Sequence, residues 1–372
     1  MVKEQRIVDE FLELVQVDSE SKHEAQIVKV LKEKFTALGV VVFEDDSASR
    51  TGQEAGNLIC LLKGTKAGVS PIYFTCHMDT VTPGNGVKPS IKDGVIETDK
   101  TTILGADDKA GIAALLEAVR VLKEQGIPHG DIQFILTVSE EIGLLGSQAM
   151  DPSLLKAEFG YAIDSGGAVG EIIVAAPTQA RVVAKIHGKT AHAGVAPEKG
   201  ISAITMAAKA IAKMPLGRID DELTANIGTI NGGTATNVVC DYVEVVAEAR
   251  GLVKEKMESQ VQQMKELFEQ EAAAMGGRAD VTIDVMYASY KLGDGDHVVE
   301  VAKRAAAKIG REPKLLQSGG GSDANIFSGY GIPTVNLAIG YEDIHTTDEK
   351  MPINELVKVT EMVLAIIEEV AK

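Results

Sequence analysis

An α/β domain with a mostly parallel central sheet between helices, interrupted by a smaller two-layer domain, is the fold class that this sequence predicts. Three observations predict it. Helical and β-branched apolar segments alternate through the first half of the chain, the pattern of a layered α/β domain. The run Pro71-Ile72-Tyr73-Phe74-Thr75-Cys76 is apolar almost throughout, as expected of a strand covered on both faces. Between residues 178 and 288 the order becomes strand, helix, two strands, helix, strand, which is that of a ferredoxin-like βαββαβ unit. The expected division is 1–177 with 289–372 for a discontinuous α/β domain, and 178–288 for the insertion.

Each element has its own signal. Ile7, Phe11, Leu12 and Val15 recur at helical spacing, as do Ile27, Val28, Leu31 and Phe35. Gly39 stops the second helix, and short β-branched runs follow at Val40–Phe43 and Leu58–Leu62. A helix beginning near Asp108 carries Ile112, Leu115, Leu116, Val119 and Leu122 on one stripe and closes at Gly126 and Pro128. Strands are expected at Ile132–Val138 and Tyr161–Ile163. In the insertion, Ala180–His187 alternates as a half-exposed strand, and Ile201–Met214 reads as a helix. Strands Leu223–Ile230 and Val238–Ala249 flank a turn at Asn231-Gly232-Gly233. A charged helix over Lys254–Met275 and a strand over Val281–Met286 complete it. A helix after Asp296, a Gly-rich turn, the strand Ile332–Ala338 and a helix from Asn354 return to the α/β style.

Composition excludes several function classes. The 372 residues hold 54 acidic and 37 basic side chains, a formal net charge of −17, which argues against a nucleic-acid backbone or an anionic membrane surface as partner. No apolar run has the length of a membrane span, and the acidic opening Met1-Val2-Lys3-Glu4-Gln5 is unlike a secretory signal. Cys60, Cys76 and Cys240 form no CxxC pair, so a reducing, cytoplasmic setting is expected. Gly188-Lys189-Thr190 resembles the end of a phosphate loop, but Val183 stands where a Gly is required. Gly320-Gly321-Ser322-Asp323-Ala324 misses the nucleophile elbow at its last position.

What remains is a set of His, Asp and Glu residues at predicted strand ends. Each has a plain structural reading when taken alone. His77 and Asp79 are a polar strand exit, Asp107-Asp108-Lys109 offers a helix cap, and Glu140-Glu141 are solvated acids. Asp164 is a turn residue, and His345 lies in a loop. Jointly they say more, because residues at the carboxyl ends of parallel strands converge on one crevice. Imidazoles and carboxylates are the ligands of catalytic zinc, and two cations can share a bridging carboxylate and a hydroxide. Two Zn²⁺ against three carboxylates and one hydroxide also balance in charge.

The segments Thr75-Cys76-His77-Met78-Asp79-Thr80-Val81, Gly105-Ala106-Asp107-Asp108-Lys109-Ala110-Gly111, Ser139-Glu140-Glu141-Ile142-Gly143 and Ala191-His192-Ala193-Gly194 resemble the signature blocks of the dinuclear-zinc exopeptidase family of the peptidase T and carboxypeptidase G type. Their wording is most like its peptidase T-like tripeptidases. The resemblance runs through the whole chain. One departure is Lys100, in Asp99-Lys100-Thr101-Thr102, where the family often has Gly.

The resemblance implies that Asp107 bridges two metal ions, that His77 and Asp164 complete one site, and that Glu141 and His345 complete the other. It implies zinc as the metal, with cobalt or manganese as alternatives. Glu140 would be the general base and Asp79 would orient His77. His192, Asn237, Arg250 and the turn at Gly320 would meet the substrate. The inserted domain would be a lid and homodimerisation module, and His192 would reach a substrate carbonyl, in its own subunit or its partner's. The expected activity is release of N-terminal residues from short peptides. Asp rather than Glu at position 164 is the feature that favours it. A carboxypeptidase or N-acyl amino-acid deacylase with the same centre is the alternative, and a non-catalytic metal- or peptide-binding relative is the alternative from another class. Retention of Glu140 speaks against the last.

Overall fold

Four strands with almost wholly buried side chains form the middle of the main sheet in the computed structural model, which describes residues 1–372. They lie in the order Ile132–Thr137, Ile72–His77, Phe159–Ser165, Thr334–Ala338 and run parallel. Their burial on both faces explains the unbroken apolar runs. Leu58–Leu62 and Val41–Glu44 extend the sheet antiparallel on one side. On the other, Glu171–Ala176 pairs antiparallel with Thr334–Ala338 and parallel with Lys314–Gln317.

The helix Ala106–Gln125 has 16 of its 20 residues buried, so it is a core element and not an amphipathic surface helix. Its terminal Gly126 takes φ 62°, which a glycine adopts without strain. Phe74 stacks between Phe134 and Tyr161, with ring centroids 6.3 and 5.6 Å apart. Burying each such ring contributes roughly 1.5–3 kcal/mol. The expected cap by an Asp at this helix is not what forms. Gly105 is the cap residue, and Asp107 and Asp108 have non-helical backbone angles, which frees their carboxylates for other partners.

The chain divides into two compact units: Met1–Ala175, Lys291–Gln317 and Ser322–Lys372 in one, Ala176–Tyr290 with Ser318–Gly321 in the other. The crossings thus fall about two residues from the expected ones. The Gly-rich segment differs more, since it goes with the smaller unit. Gly321 explains why: a Cβ there would lie 2.3 Å from the Tyr287 ring, so only glycine permits that approach.

In the smaller unit the sheet order is Gly217–Asp220, Leu223–Gly232, Tyr242–Gly251, Thr178–His187, Arg278–Tyr287, antiparallel throughout. Without its first strand this is the ferredoxin-like order, and Gly217–Asp220 is an added edge. Every second residue of Thr178–His187 is buried, against a core of Met206, Val261, Met264 and Phe268 from the helices Ala203–Ile211 and Lys254–Ala274. The strand expected from Val238 begins only at Tyr242, because Val238 instead forms an isolated bridge with His192. No helix is long and apolar enough to cross a membrane.

Candidate active site

Four of the five expected ligands sit at or just beyond the carboxyl ends of the four parallel strands. His77 ends one strand and Asp164 lies near the end of another. Glu141 follows the strand that stops at Thr137, and His345 follows the one that stops at Ala338. The fifth, Asp107, comes from the loop entering the buried helix. Their side chains meet around Asp107. His77 Nε2 lies 3.0 Å from Asp107 Oδ1 and 3.6 Å from Asp164 Oδ1. His345 Nε2 lies 3.2 Å from Asp107 Oδ2 and 2.9 Å from Glu141 Oε1. Each oxygen of the Asp107 carboxylate therefore faces its own imidazole, and each imidazole also faces a second carboxylate, Asp164 or Glu141.

That arrangement fits two metal ions. His77 Nδ1 lies 2.9 Å from the Asp79 carbonyl oxygen, so Nδ1–H donates there and the Nε2 lone pair is left for a cation. The donor atoms of His77, Asp107 and Glu141 all lie within 4.8 Å of one another, as do those of His77, Asp108 and Asp164. Asp108 was not among the expected ligands. It accepts a bond from the His77 backbone N–H at 3.2 Å, while its Oδ1 is buried without a partner.

Charge in the cluster is strongly coupled. Burial raises the Asp107 carboxyl, but hydrogen bonds from His345 and His77 outweigh that and hold it well below the usual range. Burial opposes charge on His77, and the carboxylates of Asp107, Asp164 and Asp79 override it, holding the imidazole well above its ordinary value. Asp107 and Glu141 push His345 up to about 10. Burial, with the charge of Asp107 among the lesser causes, pushes Asp164 up to about 7. Burial and the charge of Asp164 drive Glu140 well above the carboxylate range. Protons are thus held where cations would otherwise balance the carboxylates.

Asp79 meets His77 through its backbone carbonyl, 2.9 Å from Nδ1. Its carboxylate is 3.6 Å from His77 Nδ1, farther than its own carbonyl. The carboxylate accepts from the backbone N–H of Glu140 at 2.9 Å and of Glu141 at 3.3 Å, and from Ser21 Oγ at 2.6 Å. It orients the two glutamates more directly than the histidine.

Further polar side chains were not read from the sequence. Glu349, 2% exposed, accepts from the backbone N–H of Leu104, Gly105 and Asp107 at 2.7, 2.8 and 3.1 Å. Burial pushes its carboxyl up to about 7 even so. Asn336 accepts from Asp164 N at 3.0 Å and donates to Asp164 O at 2.8 Å, fixing that residue from the neighbouring strand. Glu349, four residues beyond His345, carries a faint sequence signal. Asn336 in an apolar strand carries a clearer one.

The expected substrate residues lie in the smaller unit. His192 and Asn237 are brought together, since His192 bridges Val238 and Ala193 N donates to Asn237 O at 2.9 Å. Arg250 donates to Glu248 from Nε at 2.9 Å and Nη2 at 3.2 Å, the salt bridge that is its plainer reading. Gly320 is close to it, a Cβ there lying 3.8 Å from Arg250 Nη1.

The chain is similar along its whole length to known peptidases. An aminopeptidase PepT from Bacillus cereus ATCC 10987 is 68% identical in sequence, with a TM-score of 0.93 over 100% of both chains. A tripeptidase from Staphylococcus aureus is 50% identical, with a TM-score of 0.97 over 100% of this chain and 99% of that one. Peptidase T of Clostridium perfringens is 29% identical over 410 residues, covering 97% of this chain and 98% of its own. The family described as peptidase family M20/M25/M40 matches residues 73–369. That span runs from the strand ending in His77 into the last helix and takes in every residue of the cluster, so the chain belongs to peptidase family M20/M25/M40.

Proposed function

We propose that the chain is a metal-dependent aminopeptidase that releases the N-terminal residue from short peptides such as tripeptides, and that it uses two zinc ions. The observation that carries this reading is Asp107, whose two oxygens each face one imidazole that in turn faces a further carboxylate. His77 and Asp164 would hold one ion, Glu141 and His345 the other, with Asp107 shared. Such a pair supplies Lewis-acid polarisation of the scissile carbonyl and an activated water. Glu140, held beside the cluster by its backbone bond to Asp79, takes a proton from the attacking water and delivers it to the leaving amine nitrogen. His192 donates to the oxyanion that develops on the carbonyl, and Arg250, Asn237 and the Gly320 turn receive the rest of the peptide.

The reading includes a homodimer formed through the smaller unit, whose central strands bury alternate residues only, and a cytoplasmic setting, with all three cysteines free. The zinc-loaded protein incubated with dipeptides, tripeptides and N-acyl amino acids tests the substrate. Free N-terminal residue plus dipeptide should appear first, by mass. Release of C-terminal residues, or of the acyl group alone, would instead mark a carboxypeptidase or a deacylase.

A further inference from the structure

Glu24 lies far from the cluster in sequence and is fully buried. As cap residue of the helix Ala25–Ala37 it makes no side-chain capping bond. Its Oε1 is committed elsewhere. It accepts from the Ser139 backbone N–H at 3.0 Å, from Ser139 Oγ at 2.8 Å, and from Lys22 N at 3.1 Å.

Ser139 has φ +53°, a conformation that a residue with a Cβ keeps only when its surroundings hold it there. It immediately precedes Glu140 and Glu141. The N–H groups of these two go to the Asp79 carboxylate, so two buried carboxylates collect three successive backbone donors. The rest of the turn closes on itself, with Leu144 N on Glu140 O at 2.8 Å and Leu145 N on Ser139 O at 3.1 Å. The direction in which both glutamates leave the strand is thus fixed at Ser139.

We infer that Glu24 is a positioning residue for catalysis, which locks Ser139 in the left-handed conformation and so aims Glu140 and Glu141 into the cluster. The inference rests on the reading of Glu140 as base and Glu141 as ligand. Without Glu24, the Ser139 N–H and hydroxyl lose their acceptor. The turn then relaxes toward ordinary φ and carries both carboxylates off line.

Glu24→Ala should lower kcat about 10- to 100-fold with KM nearly unchanged, the loss typical of a group that orients a metal ligand. The same variant should bind Co²⁺ more weakly by a similar factor in chelator competition, a readout independent of turnover. Adding Ser139→Gly to Glu24→Ala should recover most of both losses, because glycine takes positive φ without support. A purely structural role for Glu24 gives no reason for that rescue. Glu24→Asp, which keeps the charge but withdraws it by one methylene, gives the same reading should Glu24→Ala not fold. Wild-type kcat and Co²⁺ affinity in Glu24→Ala, or in Glu24→Asp should that variant stand in, would overturn the inference. So would a folded double variant no better than the single one. If the wild type itself hydrolyses no peptide, the proposed function fails instead, and the Co²⁺ comparison still decides whether Glu24 places Glu141.

Discussion

Glu140 and Glu141 are neighbours held by one carboxylate, yet the proposed function gives them unlike tasks. Glu141 Oε1 is 2.9 Å from His345 Nε2, while the Glu140 carboxyl is the one that burial and Asp164 push far above its ordinary value. Glu140→Ala should therefore retain its metal and lose kcat by about 10²- to 10⁴-fold, the usual worth of a positioned acid–base group. Glu141→Ala should lose metal first. Metal analysis of both variants after gel filtration checks this, and equal loss in the two would contradict the assignment. His345 adds a pH dependence whose sign follows from its raised value. In the metal-free chain its ion pairs with Asp107 and Glu141 stabilise the fold fully below about 6.5, and that contribution fades as pH rises toward about 10. A cation needs the neutral imidazole, so metal affinity runs the other way and falls as pH falls.

At the scale of elements, strand ends were readable because an apolar run that stops at His77 or near Asp164 advertises the change from core to crevice. The holding groups were not. Glu24 and Ser139 are 115 positions apart, and Glu349 and Asp107 are 242 apart; in each pair the donor is a backbone N–H that every residue type possesses. The same limit hid Gly217–Asp220 and the three-stranded sheet of Ser90–Lys92, Val95–Glu97 and Lys350–Pro352, whose runs are too short to show a period. Helix placement, by contrast, depends on a buried ion pair. Arg6 on the first helix meets Glu117 of the buried helix through Nε at 2.6 Å and Nη2 at 2.8 Å, and the Glu117 side chain is 0% exposed. Removing Arg6 leaves the buried Glu117 carboxylate only the Lys3 backbone N–H at 3.2 Å and the Arg120 guanidinium at 3.9 Å, and a buried charge with weakened pairing is costly. Arg6→Met should cost about 3–5 kcal/mol in denaturant unfolding, whereas the double change Arg6→Met with Glu117→Leu should recover much of it. Unchanged stability in Arg6→Met would show that Arg120 and the Lys3 N–H suffice to hold Glu117.

Over the whole molecule, five ligand-type side chains arrive from five separate segments of one unit, four of them at or just beyond the ends of parallel strands. The net charge of −17 suits a protein that concentrates carboxylates around cations rather than one that binds anionic partners. In the second unit, Arg250 lies on the strand Tyr242–Gly251 of the ferredoxin-like sheet, and His192 and Asn237 lie in the segments beside it. The proposed function requires that Asp107 shares two ions and that hydrolysis needs both. The most direct measurement is a zinc titration of metal-free protein at neutral pH, following tripeptide hydrolysis and proton release together. The account predicts activity that rises from nothing to a plateau at about two zinc ions per chain, with protons released as His345 and Asp164 give way to metal. Full activity in the metal-free protein, or a plateau reached at one ion per chain with no second binding event, would contradict it.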